Sequence, residues 1–326
     1  MFKGEKTFES ERTVKYFYEK SYQKTNNLII IFSAMPAKGK MPGYNFVSTL
    51  KEFDCNKLFI LDDFGCRGSY YLCENKDFSI ERSVISLINF IIKENKIDKV
   101  ITCGSSKGGY AALYYGIKYG FSNIIAGSPQ YLLGEYLINQ AKEGAIAKFM
   151  SGAIEKEDYE FLNGIMADMI SNSPNKPRVF IHLGKGEANY HKHVKPLMKK
   201  LDEEQIDYQL DLGDYSKHSD VAKFFPPILK EKVRETLGYP LLKLEKSLEG
   251  RHPLNKTYEF KAKTDSTNKL AWYVYYNGEK IISSKYSFDR SFTLSFDKKG
   301  KYQVKVFAIN ENDFKVSIKS NIIEIV

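Results

Sequence analysis

Arginine is scarce in this chain. Of 49 basic residues only seven are arginines (Arg12, Arg67, Arg82, Arg178, Arg234, Arg251 and Arg290), and no two are adjacent. Sequence readout on DNA relies heavily on the bidentate guanidinium fork. The formal charge of +9 therefore does not mark a nucleic-acid binder, although a dispersed lysine field can help gather an anionic glycan. Cysteine is sparse as well. Cys55, Cys66, Cys73 and Cys103 lack the paired short spacings of a zinc site, so no metal centre is expected and a reduced, cytoplasmic chain is. Long apolar runs are missing: a stretch such as Tyr110 to Tyr115 falls far below the ~20 residues that span a bilayer. The opening Met1-Phe2-Lys3-Gly4-Glu5-Lys6 carries no basic-then-apolar leader, and neither membrane insertion nor secretion is expected.

What is present is a globular composition, 43% hydrophobic and 14% aromatic over 326 residues, which excludes disorder for most of the chain. At about 150 residues per domain the length suggests two domains. From Asn27 to Asp214 short β-branched runs alternate with helical stretches. The runs are Leu28–Phe32, Lys57–Leu61, Lys99–Cys103, Asn123–Ala126, Val179–Leu183 and Tyr208–Leu212, and all but the last read as fully buried strands. Ile80–Asn95 and Gly108–Tyr119 carry apolar faces at helical spacing and read as crossover helices. The expected fold is α/β, a mostly parallel sheet with helices on both faces. A stretch from about Tyr131 to Ser171 without a convincing strand reads as a helical lid.

After Leu237-Gly238-Tyr239-Pro240 the pattern changes to closely spaced strands of period two, with turns at Asn277-Gly278 and Lys299-Gly300. The expected organisation is a catalytic domain over residues 1–242, a linker over 243–255 and a small immunoglobulin-like β-sandwich over 256–326.

Chemistry concentrates at Gly104-Ser105-Ser106-Lys107-Gly108-Gly109, a G-x-S-x-G that follows a buried strand and opens a helix. That is the context of a nucleophile elbow, in which a strained backbone lifts the central serine, Ser106, above the sheet edge. A tight turn or a phosphate-cradling loop is the plainer alternative, but a Walker loop would need Ser or Thr directly after Lys107. An elbow serine needs a histidine base and an acid to orient it, in the chain order serine, acid, histidine. Glu187 and His218 each lie just past the carboxyl end of a strand, where side chains from separate segments of a parallel sheet converge. Asp214 is the competing acid; Asp62 and Asp63 precede the serine and fit the order poorly. His182 falls inside a strand, His191 and His193 sit on different faces of a helical segment, and His252 lies in the linker. The oxyanion hole should combine the backbone N–H of Lys107 with that of Ala34, in the loop after the first buried strand. The Lys107 side chain should be solvated or glycan-facing.

At these residues the chain resembles the α/β-hydrolase superfamily, and within it the serine-triad protein of the bacterial accessory Sec system and related capsular-polysaccharide biosynthesis proteins. The resemblance rests on Leu61-Asp62-Asp63-Phe64-Gly65, on Gly104 to Leu113, and on Gly127-Ser128-Pro129-Gln130-Tyr131, within roughly Lys15 to Leu237. It implies O-acetylation of sugars by a serine, glutamate, histidine triad, and so favours Glu187 over Asp214; acetyl transfer to a surface glycan and acetyl removal from it share one acyl-enzyme on Ser106, and both stay open, with transfer the leading expectation. It also implies a glycan substrate and a place beside polysaccharide biosynthesis machinery, with no bound cofactor and an acyl donor such as acetyl-CoA as co-substrate. The C-terminal segment is similar to the tyrosine-rich three-Y domains. The competing functional class is a catalytically silent glycan-binding or assembly module.

Overall fold

The computed structural model describes every residue except Met1, Lys24, Ser247 and Glu249. Its first eight strands are β1 (Glu5–Phe8), β2 (Val14–Glu19), β3 (Asn27–Phe32), β4 (Asn56–Ile60), β5 (Lys99–Ser105), β6 (Asn123–Gly127), β7 (Arg178–Gly184) and β8 (Tyr208–Gly213). They form one sheet in the order β1-β2-β4-β3-β5-β6-β7-β8. From β4 to β8 every pairing is parallel, and β1 and β2 add an antiparallel hairpin at one edge. The six β-branched runs of the sequence are the six parallel strands. The hairpin escapes a sequence reading because β1 is four residues of exposed or half-buried edge, with no buried run to announce it.

The parallel strands are covered by α1 (Val47–Leu50), α2 (Ser79–Asn95), α3 (Lys107–Lys118), α4 (Gly144–Ser151), α5 (Lys156–Asn172), α6 (Lys195–Glu203) and α7 (Val221–Leu237). Leu28 to Phe32 at the centre of the sheet are all at 0% exposure, alternating toward the two helical layers. Each such side chain contributes about 1.5–3 kcal/mol of burial. Between β6 and β7 the described residues hold α4, α5 and a π-helical turn, Glu135–Gln140, and no strand.

Two compact units are present, residues 1–49 with 55–232 and residues 50–54 with 233–326. The second contains β9 (Lys243–Lys246), β10 (Gly250–His252), β11 (Thr257–Lys263), β12 (Lys269–Tyr276), β13 (Glu279–Ser283), β14 (Ser291–Ser295), β15 (Gly300–Ile309), β16 (Lys315–Lys319) and β17 (Ile323–Ile325). They form a six-stranded sheet, β10-β17-β15-β12-β13 with β16 on β15, and a three-stranded sheet, β14-β11-β9. The stretch expected as a linker thus contains β9 and β10, each paired into a sheet; its Ser247 and Glu249 lie outside the described residues. The Asn277-Gly278 turn is the tight hairpin its residues demand, with φ of 48° and 92°.

Candidate active site

β5 delivers Ser106 to the carboxyl edge of the sheet, and α3 begins with the next residue. Ser106 has φ 53° and ψ −120°, a left-handed backbone that costs a non-glycine residue about 1–3 kcal/mol. Its N–H donates to Gly127 O at 2.7 Å and its carbonyl accepts from Tyr110 N at 3.0 Å, which holds the strain in place. The flanking glycines are required by contact. A Cβ on Gly104 would lie 2.3 Å from Gly108 O, and one on Gly108 would lie 2.2 Å from Phe32 O, so strand and helix approach to backbone distance.

The strands beside β5 bring the remaining polar groups to the same edge. Past β7 the chain turns tightly, with Glu187 N donating to Gly184 O at 3.0 Å and Gly184 N donating to Glu187 Oε1 at 2.8 Å. Past β8, His218 opens a short 3₁₀ turn. Its Nε2 stands 2.9 Å from Ser106 Oγ and its Nδ1 2.8 Å from Glu187 Oε2. The carboxylate selects the tautomer with Nδ1–H, leaving Nε2 bare to accept the serine proton. Burial pushes the Glu187 carboxyl up, but hydrogen bonds from His218, Ser128 and Gly184 N–H outweigh it and hold the group below the usual carboxylate range. The sequence-derived Ser106, Glu187 and His218 are therefore contiguous. Asp214 is exposed and pairs with Lys185 at 2.8 Å; it does not approach His218's ring among the contacts the structure gives.

Several polar groups of this edge carry no recognised signature. Ser128, the first residue past β6, is fully buried with φ 41°. Its hydroxyl donates to Glu187 Oε2 at 2.6 Å and lies 3.0 Å from His218 Nδ1, so the imidazole N–H is shared between the two oxygens. The Asn189 amide stands 3.2 Å from the same nitrogen. Gln130 Nε2 donates to Ser106 Oγ at 3.2 Å, and the Tyr136 ring meets the His218 ring edge-on with centroids 6.3 Å apart. The signal that could have found Ser128 is its place directly past the carboxyl end of a parallel strand.

The other histidines separate as their spacing implies. His191 is exposed and His193 buried. His193 Nδ1 accepts from the N–H groups of Tyr131 and Leu132, both at 3.3 Å, and burial pushes its pKa down to about 4. His182 is buried in β7, bonded through Nδ1 to Asp211 at 2.6 Å and through Nε2 to the Tyr215 hydroxyl at 3.2 Å. His252 ends β10, away from this edge in sequence and in the other unit.

The two backbone donors expected for an oxyanion differ in state. Lys107 N–H heads α3, where no preceding helical carbonyl takes it. Ala34 N–H is engaged, donating to Asn45 Oδ1 at 2.8 Å, and its neighbour Ser33 N–H donates to the Tyr71 hydroxyl at 2.6 Å. The Lys107 side chain is neither solvated nor glycan-facing. It is buried, its Nζ 2.7 Å from Asp62 Oδ2 and 4.6 Å above the Tyr71 ring. Burial draws its ammonium below the usual lysine value against the pull of Asp62. Asp62 also accepts from the backbone N–H groups of Ser69 at 2.9 Å and Tyr71 at 3.2 Å, so the pair ties the Asp62–Tyr71 loop beneath the elbow. Residue type alone placed Lys107 at the surface; burial with a saturated partner is what reverses that.

Among the described residues no group of three or more His, Cys, Asp or Glu side chains is placed to hold a metal ion, and no helix is long and apolar enough to cross a membrane.

No family model and no curated protein matches the sequence. Solved structures do match the fold. A mutant of the capsule O-acetyltransferase of Neisseria meningitidis serogroup A, in complex with CoA, superposes with a TM-score of 0.61 at 24% identity, over 71% of this chain and 96% of that one. A glycosylation-associated protein complex (Gap123) from Streptococcus agalactiae superposes with a TM-score of 0.63 at 17% identity, over 72% of this chain and 46% of that one. The fluorophosphonate-binding serine hydrolase FphF of Staphylococcus aureus gives 0.53 at 11% identity, over 72% and 97%. The parallel sheet and its helices are those of the α/β-hydrolase fold.

Proposed function

We propose that the protein is a serine-dependent acyl-ester enzyme acting on carbohydrate, transferring an O-acetyl group to a bacterial surface glycan. The observation that carries the proposal is the relay from Ser106 Oγ through His218 to Glu187, at 2.9 and 2.8 Å. In the first half-reaction His218 Nε2 takes the proton of Ser106 as Oγ bonds to the acyl carbon of a donor such as acetyl-CoA. Negative charge collects on the acyl oxygen opposite Lys107 N–H, the donor's thiolate leaves, and His218 returns the proton to it. In the second half a sugar hydroxyl gives its proton to His218 and bonds to the acyl carbon, the bond to Oγ breaks, and Oγ regains the proton. Glu187 orients the ring and offsets the charge of the imidazolium.

The likeness to the capsule O-acetyltransferase supports the choice of a sugar acceptor and a CoA thioester donor, and the likeness to Gap123 supports a place beside glycan-assembly machinery. Cys66, Cys73 and Cys103 stand outside any disulfide, which favours a cytoplasmic site of action. The segment between β6 and β7 acts as a lid, a reading supported by the edge-on contact of its Tyr136 ring with His218 at 6.3 Å. The C-terminal sheets are read as an immunoglobulin-like sandwich, since Trp272 stacks on Phe292 with centroids 5.7 Å apart and Tyr302 meets Phe296 at 4.6 Å across the two sheets.

The test is partition of the acyl-enzyme. With p-nitrophenyl acetate as donor, de-O-acetylated capsular oligosaccharides should capture acetyl groups in place of water, with the product seen by mass spectrometry. Acetate release that no added sugar diverts would leave a hydrolase, and no acyl transfer to either would favour a silent module.

A further inference from the structure

The six-stranded sheet packs one face on the three-stranded sheet, through Trp272 on Phe292 and Tyr302 on Phe296. Its other face gathers lysines and aromatic rings. Successive residues of a strand point to opposite faces, and along β15 the buried residues alternate with Lys301, Gln303, Lys305 and Phe307. β12 sets Tyr273 opposite Lys305 and Tyr275 opposite Gln303, and β16 sets Lys319 opposite Lys305. Rings and ammonium groups interleave there. Tyr273 meets Phe307 with centroids 4.7 Å apart, and the Nζ atoms of Lys280, Lys305 and Lys319 stand 4.9, 4.5 and 5.7 Å from the ring centres of Tyr273, Phe307 and Tyr275. Among the described residues none of these lysines forms an ion pair, and Glu324, in register with Lys301, is bonded to Arg251 at 3.1 Å.

We propose that this face binds an anionic polysaccharide, with sugar rings on the tyrosines and acid groups against the lysines. The choice of a glycan rests on the sugar acceptor proposed for Ser106.

Like charges directly opposite on paired strands destabilise a sheet. Lys305 against Lys319 is such a pair, and a bound carboxylate or phosphodiester offsets its repulsion. Burial and the Lys319 charge already draw the Lys305 ammonium below the usual lysine value. Beside the pair lies a groove of ≈ 380 Å³ lined by Tyr275, Asn277, Lys301, Gln303 and Lys319 among others, a size suited to a small ligand or a short stretch of polymer. Gln303 Nε2 donates to Ser320 O at 3.0 Å, and its Oε1 takes no hydrogen bond among the described residues, which leaves an acceptor for a sugar hydroxyl. A pyranose presents C–H groups on one side, and these suit the negative face of an aromatic ring. The cations of the groove are lysines rather than the guanidinium forks that nucleic-acid readout favours. A polymer held here stays on the molecule that carries Ser106, which raises its effective concentration as an acceptor.

Isothermal titration calorimetry of the full chain tests this, with polygalacturonate as the probe. Its methyl ester removes the charge and polyglutamate removes the sugar. The wild-type protein should bind polygalacturonate more tightly than either control, and more weakly as salt rises. Lys305→Gln together with Lys319→Gln should weaken that binding about 10-fold and flatten its salt dependence. Tyr275→Ala should weaken it by a similar factor and leave polyglutamate binding unchanged. These variants should keep wild-type kcat on p-nitrophenyl acetate. Should Tyr275→Ala lose its Trp272 unfolding transition, the lysine variant carries the test by itself. Equal affinity for polyglutamate would make the face a general polyanion site and overturn the glycan assignment. Wild-type protein that does not bind polygalacturonate, or variants that bind it as the wild type does, would overturn the inference alone. Specific binding by a protein that takes no fluorophosphonate label at Ser106 would overturn the acyl-enzyme reading and leave the binding face standing.

Discussion

Acid should loosen the N-terminal unit through His193, by an amount the structure sets. Buried and accepting two backbone N–H groups, this imidazole titrates in the folded chain at about 4 rather than the usual 6.5. Burial is the chief cause, with the charges of Lys192 and His218 adding to it and Glu135 opposing. Between those values the unfolded chain binds a proton that the folded chain refuses, so stability falls as pH drops through this window. At 1.36 kcal/mol per unit, the difference amounts to about 3 kcal/mol by the lower end. His193→Asn removes the titration but keeps an acceptor, Oδ1, where Nδ1 stood. Its smaller side chain should cost about 1–3 kcal/mol at every pH. The assay is urea unfolding followed by helical circular dichroism, which reports the unit holding α2 to α6, while Trp272 fluorescence reports the other unit. Carboxylates held low, such as Glu187 and Glu143, lose stability on acidification in both proteins and cancel in the comparison. The wild-type advantage over His193→Asn should therefore shrink by about 3 kcal/mol between neutral pH and pH 4. Parallel stability curves would refute the argument.

Glu187→Gln should depress kcat by about 10²–10⁴-fold through loss of tautomer control, with KM nearly unchanged. Asp214→Asn, at an exposed ion pair, should be mild, and the reverse ranking in steady-state kinetics would move the acid role to Asp214. Ser128→Ala should lower kcat about 10- to 100-fold. It should also shift the acid limb of the pH profile upward, because Glu187 loses the hydroxyl at 2.6 Å that helps hold its carboxyl low; an unmoved limb would make Ser128 a packing residue. Lys107→Met should cost about 3–5 kcal/mol by leaving Asp62 buried and unpaired. Adding Asp62→Asn, which retains an acceptor for Ser69 and Tyr71, should recover much of that in the same unfolding assay, and an unrecovered double variant would refute the pairing argument.

Strands β3 to β7 were legible because they are buried on both faces and so appear as unbroken apolar runs, Leu28 to Phe32 most plainly. β13 is exposed at all five positions, so burial does not mark it, and β10 and β17 are three residues each, too short to show a period. The relay residues were legible from order and from position past strand ends. The roles of Ser128 and Gln130 were not, because common polar types acquire their meaning only when the fold brings the carboxyl ends of β5, β6 and β7 together. Lys107 misled for a related reason: a lysine next to an elbow is ordinarily solvated, and nothing local announces that Asp62, distant in sequence, buries with it.

The account stands or falls on whether Ser106 is a nucleophile. A fluorophosphonate probe, followed by peptide mass spectrometry, should place one covalent adduct on Ser106 in the wild-type protein. Ser106→Ala should take no label while keeping its helical signal and unfolding midpoint. A wild-type protein that remains unlabelled, or a Ser106→Ala protein labelled to the same extent, would contradict it.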